Sequence, residues 1–167
     1  MGKVCVEVSL ISARGLRQSN LLSFFKYQWY AVAWIISSQK SITHIDVSRS
    51  TNPVWRSKFA TVIEDANANA NPTAEGSTVH IEVYRRDPIF LGEKLHGSAT
   101  VCLREFLDKH SRGLGNPAGS GPEEGTYQLR KNNSRTPRGL VDISIGVSAY
   151  CEPTYRPPNA APFLQCA

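Results

Sequence analysis

Long apolar runs are missing from this chain of 167 residues. None approaches the roughly 18 consecutive apolar residues that a membrane-spanning helix requires. The first residues alternate between apolar and polar types, whereas a signal peptide begins with a charged stretch followed by an apolar one. We therefore expect no secretory leader and no spanning helix, so that any contact with a membrane is peripheral.

Cysteine is scarce, and its spacing is not that of a metal site. The four cysteines are Cys5, Cys102, Cys151 and Cys166. They form no Cys-x-x-Cys pair and no zinc-ligand pattern. We expect all four to be free thiols, which indicates a reducing compartment and a cytoplasmic protein.

Catalytic constellations are also lacking. The four histidines are scattered along the chain: His44, His80, His96 and His110. No two of them have the spacing of a metal pair, and no Gly-x-Ser-x-Gly nucleophile motif is present. His80 alternates with Val79 and Ile81, which predicts that it points outward from a strand. An enzyme is therefore not expected, and no motif typical of nucleic-acid binding is found.

Basic residues outnumber acidic ones in an otherwise ordinary composition. Apolar residues make up 41% of the chain and charged residues 20%, which is typical of one globular domain with its own core. The net charge is +5 and the isoelectric point is near 9.2. This excess favours an anionic partner, either a lipid surface, nucleic acid or an acidic face of a protein.

A sharp corner at residues 48–56 (Ser-Arg-Ser-Thr-Asn-Pro-Val-Trp-Arg) is the strongest local signal in the chain. Pro53 fixes its own backbone angle and keeps Asn52 out of the helical region, which is typical of a turn. Trp55 follows as a large aromatic anchor. We expect a strand at residues 41–46 and another after the corner, paired antiparallel with each other.

The remaining strands follow from alternation and from turn residues. Strands are predicted at residues 3–12, 27–36, 41–46, after the corner, 78–84, 97–103, 126–129 and 139–150. A short helix is predicted at residues 104–109, with loops at 64–77 and 111–125. Eight strands and almost no helix predict an all-β fold, an eight-stranded antiparallel β-sandwich.

Several segments together resemble a C2 domain. They are residues 8–16 (Val-Ser-Leu-Ile-Ser-Ala-Arg-Gly-Leu), 30–33 (Tyr-Ala-Val-Ala), 51–55 (Thr-Asn-Pro-Val-Trp) and 81–84 (Ile-Glu-Val-Tyr), followed by Gly97. The start of the chain directly on the strand from Val4 to Leu10 resembles the second of the two C2 topologies. The resemblance places a C2 domain at residues 1–150 and leaves a flexible, proline-containing tail at residues 151–167.

The end of the domain is similar to the small single-C2 proteins of plants. The similar segments are residues 127–131 (Tyr-Gln-Leu-Arg-Lys) and 138–145 (Arg-Gly-Leu-Val-Asp-Ile-Ser-Ile). That group includes cold-regulated members and members that associate with copines and restrain defence-linked cell death. The resemblance therefore implies a regulatory role in stress or defence signalling, with a copine as one possible signalling partner.

Many C2 domains hold calcium between two loops, but the resemblance implies that this chain does not. The positions of the usual ligands carry Asn20, Gln28, Arg85, Asp87 and Lys94. Calcium takes about six to eight oxygen ligands, mostly from carboxylates. Only Asp87 supplies a carboxylate, while Arg85 and Lys94 bring positive charge to the site. We expect no metal and no cofactor.

Charge is predicted to separate between the two ends of the sandwich, because successive antiparallel strands send alternate loops to opposite ends. The loops at residues 13–26, 47–54, 85–96 and 130–138 share eleven Lys and Arg residues and two carboxylates, a net charge of +9. The loops at 37–40, 63–77 and 104–125 share four basic and seven acidic residues, a net charge of −3. The basic loops lie at the end where C2 domains usually meet membranes.

Apolar residues accompany the basic loops at residues 21–25 and at 89–91. Either they enter a membrane interface or they pack under their own loops. The candidate lipid-binding residues are Phe24, Phe25, Lys26, Arg49, Arg85, Arg86, Ile89, Phe90, Leu91, Lys94, Lys131, Arg135 and Arg138. A second basic patch is predicted at Lys40, Arg56 and Lys58.

These residues indicate a calcium-independent module that binds anionic phospholipid at the plasma membrane. Attraction of each basic residue to an anionic leaflet and burial of the apolar tips both favour this interpretation. The alternative is a protein-interaction adaptor, which binds an acidic partner protein through the basic and apolar loops at this end.

Overall fold

Eight strands and one helix make up most of the residues that the computed structural model describes, which are residues 3–16, 27–64, 76–89, 91–112, 122–131 and 134–149. In chain order the elements are β1 (Lys3–Arg14), β2 (Gln28–Trp34), β3 (Ser41–Ile42), β4 (Val54–Glu64), β5 (Thr78–Arg86), β6 (Glu93–Cys102), α1 (Arg104–Ser111), β7 (Glu123–Arg130) and β8 (Pro137–Ser148). Predicted features outside the described residues are Asn20, Phe24, Phe25, Lys26, Phe90, the tail at 151–167, and most of the loops at 64–77 and 111–125.

Neighbouring strands are antiparallel throughout, in the order β3-β2-β5-β6-β7-β8-β1-β4. The first four and the last four strands of this order meet through one residue pair, Ser98 of β6 opposite Arg130 of β7. The order therefore divides into two layers that share one hydrophobic core. This arrangement confirms the predicted eight-stranded antiparallel β-sandwich.

Alternating side chains from both layers build the core. In β1, Val6, Val8 and Leu10 are buried, and in β5 Val79 and Ile81 are buried in the same cluster. Burying one such side chain contributes roughly 1.5–3 kcal/mol. A shift of either strand by one residue would turn these side chains toward solvent, so the core fixes the strand register.

The helix and the late strands lie near their predicted positions, with shifted ends. The helix α1 covers the predicted residues 104–109 and continues to Ser111, with Leu107 buried. Strand β7 begins at Glu123 rather than at residue 126, because residues 123–125 pair with β8. Within the described residues, no helix has the length and apolar sequence needed to cross a bilayer.

The corner is fixed by hydrogen bonds from three sides. The Trp55 indole Nε1 donates to the Trp29 carbonyl at 3.1 Å, and Trp55 is buried. The Asn52 side-chain carbonyl accepts from the Gly15 amide at 2.9 Å. The Asp46 carboxylate accepts from the Val54 amide at 2.8 Å. Burial alone raises the pKa of Asp46, but its hydrogen bonds outweigh burial and lower that pKa.

The predicted pairing around the corner is wrong. Strand β3 covers only residues 41–42 of the predicted 41–46, and it pairs with β2 rather than with β4. Beyond it, the Thr43 hydroxyl accepts from the Ala31 amide at 2.9 Å, and Asp46 forms an isolated bridge with Trp29. Strand β4 pairs with β1 at the opposite edge of the strand order. The corner therefore carries the chain from one layer to the other, instead of turning it back within a layer.

The expectation of four free thiols is wrong for Cys5. Cys5 is buried on β1 and is disulfide-bonded, whereas Cys102 is a free, exposed thiol on β6. Cys5 lies opposite Ser148, so the antiparallel register brings the end of the last strand beside the start of the first. The spacing of cysteines along the sequence does not show which strands this register brings together. Cysteine usage therefore does not argue for a reducing compartment.

Candidate functional site

Strand register brings four loops to one end of the sandwich. Arg14 opposes Leu140, Gln28 opposes Arg86, and Arg86 opposes Glu93. Further along, Arg130 opposes Pro137. The described residues of 13–16, 47–54, 85–96 and 130–138 therefore lie at the same end, which we call the basic end. Its basic residues are Arg14, Arg49, Arg85, Arg86, Lys94, Arg130, Lys131, Arg135 and Arg138, against the acidic Asp87 and Glu93.

Both carboxylates of the basic end are engaged by neutral donors. The Tyr30 hydroxyl donates to Glu93 Oε2 at 2.8 Å. The Ile89 amide donates to Asp87 Oδ1 at 2.8 Å. Burial and the hydrogen bond to Glu93 raise the pKa of Tyr30 well above its usual value, so its hydroxyl stays protonated. Neither of these hydrogen bonds neutralises a cation of the basic end.

Most cations of the basic end have no carboxylate partner among the residues that the structure describes. Within the described residues the salt bridges are Arg14–Asp142, Lys58–Glu7 and Lys109–Glu123. Only Arg14 belongs to the basic end, and the Arg130 guanidinium donates to the Gln128 side chain at 3.2 Å. The cations that form no salt bridge with a described residue are Arg49, Arg85, Arg86, Lys94, Arg130, Lys131, Arg135 and Arg138. The basic end therefore carries an uncompensated positive charge.

A buried histidine lies at the centre of this end. The His96 ring packs edge-on against the Trp29 ring, with centroids 4.9 Å apart. Its Nε2 lies 2.8 Å from the Arg138 carbonyl oxygen. Burial lowers the pKa of His96, and the charges of Arg138, Arg85 and Lys131 lower it further, against the opposing effect of that hydrogen bond. Three cations from three parts of the chain therefore act on one imidazole.

The hairpin of β5 and β6 places a further positive charge beside Arg85. Arg85 of β5 is directly opposite Lys94 of β6. The Arg85 guanidinium also lies over the Tyr27 ring, 4.8 Å from its centroid. Like charges directly opposite across a sheet are destabilising. The repulsion between Arg85 and Lys94 therefore destabilises this hairpin, and a bound anion would remove that repulsion.

The calcium positions do not fit a calcium ion. Gln28, Arg85, Asp87 and Lys94 occupy them at the basic end, and Asn20 lies outside the described residues. Within the described residues, no group of three or more His, Cys, Asp or Glu side chains is placed to hold a metal. The Asp87 carboxylate already accepts an amide hydrogen bond. A hard cation requires several oxygens, and this donor set offers cations instead.

The loop between β5 and β6 holds two aliphatic side chains outward. The Asp87 amide donates to the Gly92 carbonyl and the Leu91 amide donates to the Asp87 carbonyl, both at 2.9 Å. This tight turn places Leu91 at φ +56°, an uncommon angle for a residue other than glycine. Ile89 is 53% exposed and Leu91 is 58% exposed. Of the two possibilities, packing under their own loop is therefore wrong for Ile89 and Leu91.

Two residues of the basic end were missed by the sequence analysis. Val47 is 68% exposed in the loop at 47–54, and an apolar residue within the polar run 46–52 is the signal that identifies it. The sequence assigns His96 no role, because the four histidines are scattered along the chain. Its position two residues after Lys94 is a weak signal, since the cations around it come from distant segments.

The residues of the second basic patch have different environments. The Lys40 ammonium lies 4.2 Å from the centroid of the Trp34 ring, which stacks on His80 as expected for an outward-facing histidine. Lys58 forms a salt bridge with Glu7. Arg56 is exposed, at φ +50°. The charge of this patch is therefore partly compensated, unlike that of the basic end.

Sequence comparison identifies a family over most of the described residues. Residues 4–116 match the family model of the C2 domain. None of the curated protein sequences compared with the chain matches it.

Solved structures share the fold at low sequence identity. A C2 domain of a plant extended synaptotagmin 1 is 16% identical, with a TM-score of 0.59, and the match covers 89% of this chain and 96% of that one. A C2 domain-containing protein from a putative elicitor-responsive gene is 14% identical, with a TM-score of 0.60, covering 96% and 94%. Human GIVD cytosolic phospholipase A2 is 13% identical, with a TM-score of 0.57, and the match covers 87% of this chain but only 17% of the phospholipase.

Proposed function

The chain belongs to the C2 domain family, and we propose that it is a calcium-independent module that binds anionic phospholipid membranes through its basic end. Members of this family commonly bind membranes or phospholipids, and the C2 domain is typically a non-catalytic module. The likeness to a phospholipase covers only 17% of that enzyme. We accordingly propose no catalytic activity for this chain.

One observation carries the proposal: uncompensated cations and exposed aliphatic side chains share one end of the sandwich. Each basic residue near an anionic leaflet contributes about 1 kcal/mol. Ile89 and Leu91 are about half exposed, so transfer of their remaining surface into the interface contributes roughly 1 kcal/mol each. Val47 adds a third aliphatic side chain at the same end. Together these contributions are sufficient for reversible peripheral binding.

The same charges support the proposal of calcium independence. In a calcium-dependent site the ion neutralises carboxylates and bridges them to lipid. Here Arg85 and Lys94 supply positive charge directly, while Asp87 and Glu93 accept hydrogen bonds from neutral groups. Salt should weaken the binding steeply, because exposed charges are screened over about 10 Å at 0.1 M salt.

Co-sedimentation with vesicles tests the proposal. The protein is mixed with vesicles of phosphatidylcholine alone or of phosphatidylcholine with phosphatidylserine, each in calcium and in chelator. We expect binding to the anionic vesicles that is equal in both conditions and falls with salt. Binding that requires calcium, or no binding under any condition, would contradict the proposal.

A protein-interaction adaptor is the second candidate, favoured by the exposure of Val47, Ile89 and Leu91 beside cations. Such a surface also fits an acidic partner protein. A copine, a role in stress or defence signalling, and a location in the cytoplasm at the plasma membrane remain proposals. The similar structure from a putative elicitor-responsive gene is in keeping with the stress or defence role. Vesicle binding by the purified protein alone would favour lipid over a partner protein.

A further inference from the structure

Four cations of the basic end lie around the buried His96. The His96 Nε2 is 2.8 Å from the Arg138 carbonyl oxygen, and the His96 ring packs against Trp29, which is directly opposite Arg85. The charges of Arg138, Arg85 and Lys131 all lower the pKa of His96. Lys94 lies directly opposite Arg85 and two residues before His96. These side chains come from β5, β6, the residue after β7, and the start of β8. The strands, rather than one flexible loop, therefore set the convergence.

The adjacent acidic residue does not compensate these charges. Glu93 is next to Lys94 on β6, and successive side chains of a strand point to opposite faces. The Glu93 carboxylate accepts the Tyr30 hydroxyl, on the face where the Tyr30 ring stacks on Tyr84. Within the described residues, no salt bridge involves any of the four converging cations.

We propose that Arg85, Lys94, Lys131 and Arg138 form a binding site for a phosphomonoester group, carried by a lipid headgroup or by a soluble phosphate. If a lipid headgroup carries the group, the inference rests on the function proposed above and specifies the lipid as one with a phosphomonoester headgroup. A phosphomonoester carries about 1.5 to 2 negative charges near pH 7 and three strong acceptor oxygens. Arginine guanidinium groups bind such oxygens in a bidentate manner. The phosphate of phosphatidylserine is a phosphodiester, which carries a single negative charge.

Two of the four cations, Arg85 and Lys94, stand at positions where the resemblance to C2 domains places calcium ligands, so the sign of the charge is reversed at those positions. The opposed Arg85 and Lys94 are destabilising when no anion is present. Bound phosphate oxygens accept hydrogen bonds from both side chains and remove that repulsion. Charge-assisted hydrogen bonds of this kind give a preference on the order of tenfold over a phosphodiester.

The test separates phosphate chemistry from general electrostatics. Binding of the full chain is measured in chelator, on phosphatidylcholine vesicles that contain either phosphatidic acid or phosphatidylserine, adjusted to the same zeta potential. A second arm titrates the protein with glycerol 3-phosphate and with glycerophosphocholine, and follows the imidazole resonances of His96 by NMR. We expect a preference on the order of tenfold for phosphatidic acid vesicles, and a shift of the His96 resonances with glycerol 3-phosphate alone.

Variants locate the site. Arg138→Gln should abolish the preference for phosphatidic acid and lower the binding to phosphatidylserine vesicles no more than Arg135→Gln does. Arg135→Gln removes the same charge from the same end but leaves all four residues of the proposed site in place. It should therefore retain the preference for phosphatidic acid. Lys94→Gln is the second test variant, because Lys94 is exposed and its substitution leaves the core intact.

The outcomes are distinguishable. Equal binding to both vesicles at matched potential, with no response to glycerol 3-phosphate, overturns the phosphomonoester site and leaves the proposed function standing. No binding to any vesicle, with no response in the second arm, overturns both. A response to glycerol 3-phosphate without a vesicle preference supports the site and assigns it a soluble phosphate. Equal loss of preference in Arg135→Gln and Arg138→Gln contradicts the assigned residues.

Discussion

The loop tip at residues 89–91 should act in membrane binding without supporting the fold. We predict that Ile89→Thr combined with Leu91→Asn weakens binding to anionic vesicles and leaves folding intact. Asparagine is chosen for position 91 because it tolerates the positive φ of +56° found there. Threonine keeps the branched shape of isoleucine while removing apolar surface.

The expected magnitude follows from the surface that remains exposed. Burying a whole isoleucine or leucine side chain contributes roughly 1.5–3 kcal/mol. Ile89 is 53% exposed and Leu91 is 58% exposed, so about half of each contribution is left for the membrane. The two substitutions together should cost about 2 kcal/mol, which is roughly a 30-fold loss in partitioning.

Vesicle co-sedimentation in chelator measures the loss, and thermal unfolding checks the fold. Val62→Thr is the matched control, because Val62 is 49% exposed but lies opposite Cys5 on β4, away from the basic end. The control should bind vesicles as the wild type does. A double variant with wild-type affinity would refute the conclusion that the tip enters the interface.

Three further predictions concern stability and are checked by urea denaturation. Trp55→Phe loses the hydrogen bond to the Trp29 carbonyl and leaves a cavity, so the unfolding free energy should fall by about 1–3 kcal/mol. Burial and nearby cations lower the pKa of His96, so the unfolded chain binds its proton more readily. Stability should therefore decline as the pH falls below about 6.5, and His96→Gln should reduce that decline. Hydrogen bonds, among them those from Thr126 and Arg14, outweigh burial and lower the pKa of Asp142. Its stabilising effect should be present above about pH 4 and lost below it, and Asp142→Asn should remove this dependence.

Each stability prediction has a result that contradicts it. Trp55→Phe with wild-type stability would mean that the indole hydrogen bond contributes nothing to the corner. Unchanged pH profiles in His96→Gln or in Asp142→Asn would show that the respective group does not couple folding to protonation.

Local sequence patterns predicted the elements that depend on alternation. The apolar positions of β1, from Val4 to Leu10, and those of β5 form the buried faces that their period of two indicates. The gathering of four loops at one end also follows from strand order alone, because antiparallel neighbours alternate in direction. Turn residues at Asn52-Pro53 correctly marked a corner ahead of a buried tryptophan.

Features that depend on register between distant segments were not predictable in this way. The residues around the corner fit a hairpin as well as a crossover between layers, and in the crossover that forms, Asp46 accepts from the Val54 amide. The neighbours of Cys5 and His96 come from segments far along the chain. Single-sequence patterns contain no information on such contacts. The roles of the lipid-binding candidates likewise remain predictions.

Solution NMR with anionic nanodiscs, in the presence of chelator, tests the central claim most directly. If the basic end binds the membrane without calcium, the backbone resonances of residues 47–54, 85–96 and 130–138 should shift or broaden. Residues of α1 and of the opposite loops should be unaffected. Perturbations confined to the second basic patch, or absent until calcium is added, would contradict the account.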